Sequence, residues 1–264
     1  MNEKERLQKV EQASSPAPKL IVRLARNDEE IKAAQRLRYK VFAEELGADI
    51  KNGDEGLDID RYDPYCLHLL AIDENRKKVI GTHRLLTPEG AEAGGGWYSA
   101  SKFDLSPLSS ILSQTLEIGR ACLDKEYRLG GGAICMWAGI ASLIEELGLR
   151  YFMGCASISL ADGGILASSV YHRLVEEREL VEEKYRVTSK NPLQLRDVQA
   201  AHKGRLPTLI HGSLKLGAKI GGLPCVDEEF GTAVLLVICD SQATNQRFVK
   251  KIIQSYRPET EDEV

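Results

Sequence analysis

The tightest constraint in this sequence is a strand that carries charge. The octapeptide LEIGRACL (residues 116–123) is apolar at Leu116, Ile118, Ala121 and Leu123, yet it holds Glu117 and Arg120. An unpaired carboxylate or guanidinium is costly to desolvate, so a buried strand keeps such groups only with a partner or a task. DKEYRLGGGA, ICMWAGIASLIEELG and LRYFMGCASI follow, reading as glycine-rich turn, helix and second strand. Glycine lets backbone amides approach a ligand closely. The helix behind the turn aims its dipole and free N–H groups at the same place, which suits a phosphate. The candidates there are Arg128, Gly130, Gly131, Gly132 and Ala133. A glycine-rich turn with no ligand is the alternative.

Composition narrows the class. With 264 residues, 43% hydrophobic and 28% charged, the chain reads as an ordinary globular protein. A net charge of −4 argues against broad nucleic-acid binding. No window approaches the ~18–20 uninterrupted apolar residues of a membrane span. The N-terminus MNEKERLQKVEQ lacks the apolar core of a signal peptide. A cytoplasmic location is expected, with peripheral contact at the inner membrane face. The six cysteines, Cys66, Cys122, Cys135, Cys155, Cys225 and Cys239, form no C-x-x-C pair and read as reduced, packed thiols. Cys122 and Cys155 lie on the two central strands, but neither has a histidine nearby to activate it.

Residues 1–19 read as a disordered leader, 20–240 as one domain, and 241–264 as a C-terminal helix with an acidic tail. LIVRLA is a strand, and Asn27 or Asp28 caps a helix that Gly47 closes. Arg38 and Phe42, four apart, share one face of it. An acidic loop with Asp54, Glu55, Asp58, Asp60 and Asp63 leads to a hairpin, CLHLLAID and KKVIGTHRLL. Next come a long glycine- and serine-rich loop holding Trp97, Tyr98 and Phe103, and the charged strand with its turn, helix and partner strand. GGILASSVYHRLVEERELVEEKY reads as a helix, TLIHGSLKLGAKIGG as a shorter one, and FGTAVLLVICD as a last buried strand. Hairpins mixed with a crossover predict an α/β fold of the mixed α+β kind: a twisted central sheet with helices on both faces.

The turn at residues 128–133 fits R/Q-x-x-G-x-G/A, and so resembles the GNAT acyltransferase superfamily, which holds the pyrophosphate or pantetheine arm of its acyl donor there. LEIGRACL, WYSASKFDL, GTHRLL, MWAGIA, FMGCASI and LPTLIHGSLKLGA together resemble the ornithine acyl-[acyl carrier protein] N-acyltransferases, often labelled hemolysin-like. The likeness covers residues 20–240, with the pieces in the family's order. A more distant similarity is to the acyl-homoserine-lactone synthases. Arg38 with Phe42, Asp60 with Asp63, Arg84, and Glu117 with Arg120 match their pattern. The tryptophan which that family carries between the Phe and the Asp pair is absent between Phe42 and Asp60, which argues against lactone synthesis.

The resemblance implies a GNAT-like fold and aminolysis of a thioester. A long 3-hydroxyacyl chain would pass from acyl carrier protein to the α-amine of ornithine, giving a lyso-ornithine lipid. Another amine, acyl-CoA as donor, or a non-catalytic membrane-active protein are the alternatives. No cofactor or metal is implied beyond the acyl-[acyl carrier protein] co-substrate. Glu117, its pKa raised by burial, is the candidate general base. Arg120 either neutralises Glu117 or binds the acceptor's carboxylate, and a purely structural Glu117–Arg120 pair is the alternative. Asp60 and Asp63 are candidates for the acceptor's cationic end, with Arg38, Phe42 and Arg84 around them; a plain polar loop is the other reading. Trp97, Tyr98 and Phe103 either line an acyl pocket or are core. His68 and His83 are expected either to pack in the core or to support the site's charged residues. An acidic carrier protein calls for a basic patch, for which Arg128, Lys190, Arg196, Lys203, Arg205, Lys215 and Lys219 are candidates.

Overall fold

Asn27 separates the first strand from the first helix. Its side chain accepts the Glu30 N–H and caps α1 (Asp28–Tyr39), just after β1 (Leu20–Leu24). The computed structural model describes residues 18–50, 56–128, 131–198 and 206–244. The expected leader through residue 17, the tail from residue 245, Asp54, Glu55, Gly130, Lys203 and Arg205 lie outside the described residues. The helix expected to run to Gly47 changes winding: α1 continues as a π-helical stretch, Lys40–Glu45, and Gly47 closes it at φ 74°. Wider winding of this kind re-aims side chains and recurs at functional sites.

The hairpin is as expected, β2 (Leu67–Asp73) and β3 (Lys78–Leu86), with the Asp73 carboxylate accepting the turn amides of Asn75 and Arg76 at 3.0 and 3.2 Å. The long segment after β3, expected as a loop, is ordered. It folds into α2 (Pro88–Ala93), β4 (Phe103–Asp104) and α3 (Ser109–Leu112). The reason is apolar: Phe103, Leu105, Leu108 and Ile111 are buried in one cluster with Met153, Val234 and Leu236 of the sheet. The central unit is β5 (Thr115–Leu123), α4 (Gly132–Glu146) and β6 (Tyr151–Ser159). The next helix, α5 (Ile165–Glu176), is shorter than expected. Arg178 takes φ 58°, and the chain turns inward so that Val181 is buried and Leu180 bridges to Ile220. Then follow β7 (Thr188–Ser189), which pairs with β4, and α6 (Thr208–Lys215). The last described strands are β8 (Lys219–Ile220), β9 (Cys225–Asp227) and β10 (Thr232–Asp240).

The main sheet runs β1-β2-β3-β5-β6-β10-β8, with β9 also on β10. Every pair is antiparallel except β5 with β6, which the α4 crossover makes parallel. Alternation along the strands sorts two faces. Val79 and Cys122 meet Leu37 and Val41 of α1. Ile80 and Leu116 meet Met136, Ile140 and Leu143 of α4, and α5 and α6 join the same cluster. The expected mixed sheet with helices on both faces is what the chain forms.

One feature of this sheet positions the site. β5 and β6 are nine residues each, yet only Thr115–Glu117 is in register with Tyr151–Met153. Beyond Glu117 the two strands part. Where they part, a Cβ on Gly154 would lie 2.3 Å from the Ile118 carbonyl oxygen, so β6 approaches β5 there only because it has no side chain. Gly154→Ala is therefore expected to cost about 1–3 kcal/mol, read as a lower urea midpoint. An unchanged midpoint would contradict that contact.

Candidate active site

Six side chains close a ring of alternating charge on the α1 face of the sheet. Arg38 Nε donates to Asp58 Oδ2 at 2.8 Å, and Arg120 Nε donates to the same oxygen at 3.0 Å. Arg120 Nη2 reaches Asp60 Oδ2 at 3.0 Å. Arg84 Nη1 bridges Asp60 Oδ1 at 2.5 Å and Asp63 Oδ2 at 3.0 Å. Arg38 Nη2 closes the ring on Asp63 Oδ1 at 2.7 Å and also donates to the Asp58 carbonyl. Arg38 is 0% exposed, Asp58 1%, Arg84 4% and Asp63 6%, so solvent screens these pairs little. Burial alone would raise the Asp63 pKa; the guanidiniums of Arg38 and Arg84 reverse this and hold it down at about 2.

Arg120 shows what the ring demands of the backbone. It has φ 49°, left-handed for a residue with a Cβ. The β3–β5 register shifts beside it, between Thr82 and Arg84, which marks a bulge. Such a conformation costs on the order of 1–3 kcal/mol and persists where surroundings hold it. Here two aspartates hold the guanidinium, with Phe230 5.0 Å and Tyr98 5.5 Å away over its faces.

Glu117 stands apart from the ring. It is 3% exposed. Its Oε2 accepts the Tyr98 N–H at 2.8 Å, and its Oε1 accepts the Ser99 N–H at 2.7 Å and the Ser99 hydroxyl. Burial raises its pKa above the ordinary glutamate range, and the Ser99 and Tyr98 donors and Arg84 offset part of that rise. Arg120 is not its partner, contrary to one of the sequence readings, because Asp58 and Asp60 already engage that guanidinium.

The parting strands open a cavity of ≈ 840 Å³, within the range of sites that enclose an organic ligand. Glu117, Arg84, Arg120, Phe42, Tyr98 and Cys155 line it. Phe42 comes from the π-helical stretch and stands edge-on to Phe230, centroids 6.1 Å apart. A small second cavity, ≈ 60 Å³, lies against His83 and Trp137 and shares Ile118, Gly119, Arg120, Ala121 and Cys155 with the first. The gap between β5 and β6 thus borders both. Burial pushes His83 down to about 4, so it is neutral packing near Trp137, as expected.

The structure brings together Arg38, Phe42, Asp60, Asp63, Arg84, Glu117 and Arg120. The three expected pocket aromatics separate. Tyr98 lines the cavity, whereas Trp97 packs beside the Tyr62, Leu86 and Ala91 cluster and Phe103 is core at 1% exposure. Asp58, Ser99 and Phe230 were not expected here. Asp58 is one of five acidic residues in its loop and nothing in the sequence singles it out; Ser99 and Phe230 carry no signal either. At the turn, Arg128 bonds the Leu123 carbonyl at 2.9 Å and Glu45 at 2.5 Å. Gly131 caps α4 with no side chain, Gly132 packs on Leu123, and Ala133 is exposed. Among the other basic candidates, Lys219 pairs with Glu179 at 2.7 Å, Lys190 donates to the Ala100 carbonyl at 2.6 Å, Arg196 to the Gly163 carbonyl at 3.3 Å, and Lys215 is exposed.

Comparison with known proteins identifies the family and the fold. Residues 37–138 match the acetyltransferase (GNAT) domain family. The L-ornithine N(alpha)-acyltransferase of Rhodobacter capsulatus is 31% identical over 241 residues, 86% of this chain and 92% of that protein. The L-ornithine N(alpha)-acyltransferase of Rhizobium meliloti is 34% identical over 235 residues, 83% of this chain and 79% of that protein. Among solved structures, the CoA-dependent acyl-homoserine lactone synthase MesI superposes with a TM-score of 0.52 at 12% identity, covering 89% of this chain and 95% of that one. It shares the fold.

Removing one member of a buried charge ring strands its neighbours. Asp63→Asn is expected to destabilise by about 3–5 kcal/mol, measured by urea denaturation. The contribution of Asp63 is whole above the ordinary aspartate range, near 4. It is lost as pH falls through about 2, because its folded pKa is depressed. The stability of the unsubstituted protein should fall between these values more steeply than that of the Asp63→Asn variant. Equal slopes would contradict the ring's role.

Proposed function

Because the chain belongs to the L-ornithine N(alpha)-acyltransferase family, we propose that it transfers a long acyl chain from acyl carrier protein to the α-amine of ornithine. The product is an amide-linked lyso-ornithine lipid. The observation that carries this reading is Glu117, a buried carboxylate of raised pKa on the wall of a large cavity where two central strands part.

An α-amine is largely protonated near neutral pH and must lose a proton to attack a carbonyl. The neutral fraction adds to the thioester carbonyl, and Glu117 takes, directly or through a water, the proton that the nitrogen must shed as the C–N bond forms. The tetrahedral oxyanion needs fixed donors. Beyond Glu117, β5 has no β6 residue in register, and its amides along the gap supply them. Arg120 holds the bulged end of β5 in place through Asp58 and Asp60. Asp60 and Asp63 each already meet two arginines, which leaves them poor partners for the acceptor. The cavity wall offers other carboxylates: Asp227 is already paired with Lys102 at 2.9 Å, but Asp49, Glu228 and Glu229 outnumber its two arginines, Arg84 and Arg120. That excess favours an acceptor with a cationic side chain, such as ornithine.

The acyl chain enters at the cavity's open side, where Leu46, 69% exposed, and Leu209, 37% exposed, form an apolar lip. The same lip suits release of an amphiphilic product at a membrane surface. Among the described residues no helix is long and apolar enough to cross a membrane.

The test is thiol release from 3-hydroxyacyl-[acyl carrier protein], with ornithine, with other amino acids, and with acyl-CoA as control donor. Release should depend on ornithine and prefer the carrier protein. Glu117→Gln should lower it by about 10²–10⁴-fold, with the circular dichroism spectrum unchanged. Release from a folded protein that ignores every amine, or near-normal turnover of Glu117→Gln, would overturn the reading.

A further inference from the structure

Aminolysis of a thioester has two proton problems. The amine must lose a proton, and the departing alkyl thiolate, with a thiol pKa of about 8.5, must gain one at neutral pH. Glu117 answers the first. The structure offers an answer to the second a few ångströms away.

Ser99 is 0% exposed and held twice by the same carboxylate oxygen, through its N–H at 2.7 Å and through its hydroxyl. The same hydroxyl oxygen lies 3.5 Å from Cys155 Sγ, within hydrogen-bond reach for sulfur, and either atom can donate. Cys155 sits on β6 across the gap from β5 and lines both the large cavity and the small one behind it. A thioester whose carbonyl oxygen meets the β5 amides carries its sulfur in this gap, beside Cys155. Burial, the largest influence, pushes the Cys155 thiol up to about 12. The thiol therefore stays protonated and is a poor nucleophile.

We propose that Ser99 and Cys155 form a proton relay that carries the acceptor's proton from Glu117 to the departing thiolate. The inference rests on the reading of Glu117 as the base of a thioester aminolysis. The neutral amine adds and the C–N bond forms, with Glu117 taking the proton that the nitrogen sheds; the C–S bond breaks, with the C–S electron pair leaving on sulfur. Protonated Glu117 gives its proton to Ser99 Oγ, Ser99 passes its own to Cys155 Sγ, and Cys155 passes its own to the leaving sulfur. Glu117 ends ionised, while Ser99 and Cys155 end with one proton each, as they began. The transfer is concerted, since a free Cys155 thiolate would be a stronger base than the product thiolate. Cys155 touches the reacting sulfur and is a catalytic residue; Ser99 is a positioning residue acting through Glu117 and Cys155.

Two donors with one acyl chain separate this from a packing role: an alkyl thioester, and an aryl thioester whose more acidic thiol leaves without a proton. Both are assayed with ornithine, using Cys155→Ala, Cys155→Ser, Ser99→Ala and Glu117→Gln, each checked by thermal melting. Cys155→Ala and Ser99→Ala should lower kcat about 100-fold with the alkyl donor and only a few-fold with the aryl donor. Cys155→Ser, which keeps a donor, should recover most of the alkyl-thioester rate. Equal losses with both donors, or no recovery in Cys155→Ser, would overturn the relay while leaving the base in place if Glu117→Gln is inactive. Full turnover of Glu117→Gln with both donors would instead overturn the base, and the relay with it.

Discussion

Three arginines, two of them buried, and three aspartates neutralise one another in a closed ring, and the rest of the site hangs from it. Its members come from a helix, a loop and two strands, so closing it fixes how α1 lies on the sheet and where the acidic loop runs. No single pair would hold, since a buried ion pair barely repays its desolvation without further hydrogen bonds. In the ring each aspartate meets two guanidiniums. The left-handed Arg120 and the bulge beside it are the local cost of that closure.

The ring has a second consequence. By engaging Arg120 with Asp58 and Asp60, it leaves Glu117 to backbone donors and Ser99. A carboxylate paired directly with arginine would be too weak a base to take a proton from an amine. A buried carboxylate with neutral donors is stronger, and its position three residues before Arg120 keeps it at the strands' parting point. The absence of β5–β6 pairing beyond Glu117 gives a thioester room beside it.

Much of this could be read in the sequence, because charge and periodicity carry it. Glu117 and Arg120 on an apolar strand, the hairpin, and the last buried strand all follow from alternation and desolvation. The sequence could not say which charges pair. Glu117 and Arg120 are three apart on one strand, yet their partners come from residues 18 to 62 positions away, so pairing is set by topology. Asp58 was hidden among five acidic loop residues with no periodicity to single it out. The segment after β3 looked like a loop because glycine and serine dominate it, while its buried apolar residues are spaced irregularly. Ser99 acts through hydrogen bonds that no pattern of residue types records.

The central claim is that a buried carboxylate serves as the base, and the pH dependence of kcat/KM for ornithine tests it most directly. Two groups must be unprotonated for reaction, the acceptor amine and Glu117. Log kcat/KM should therefore climb with a slope of about two at the acid end and ease to about one where Glu117 ionises. Burial predicts that this break lies above the ordinary glutamate value of about 4.3. A break at or below that value, or a single slope set by the amine alone, would contradict the account.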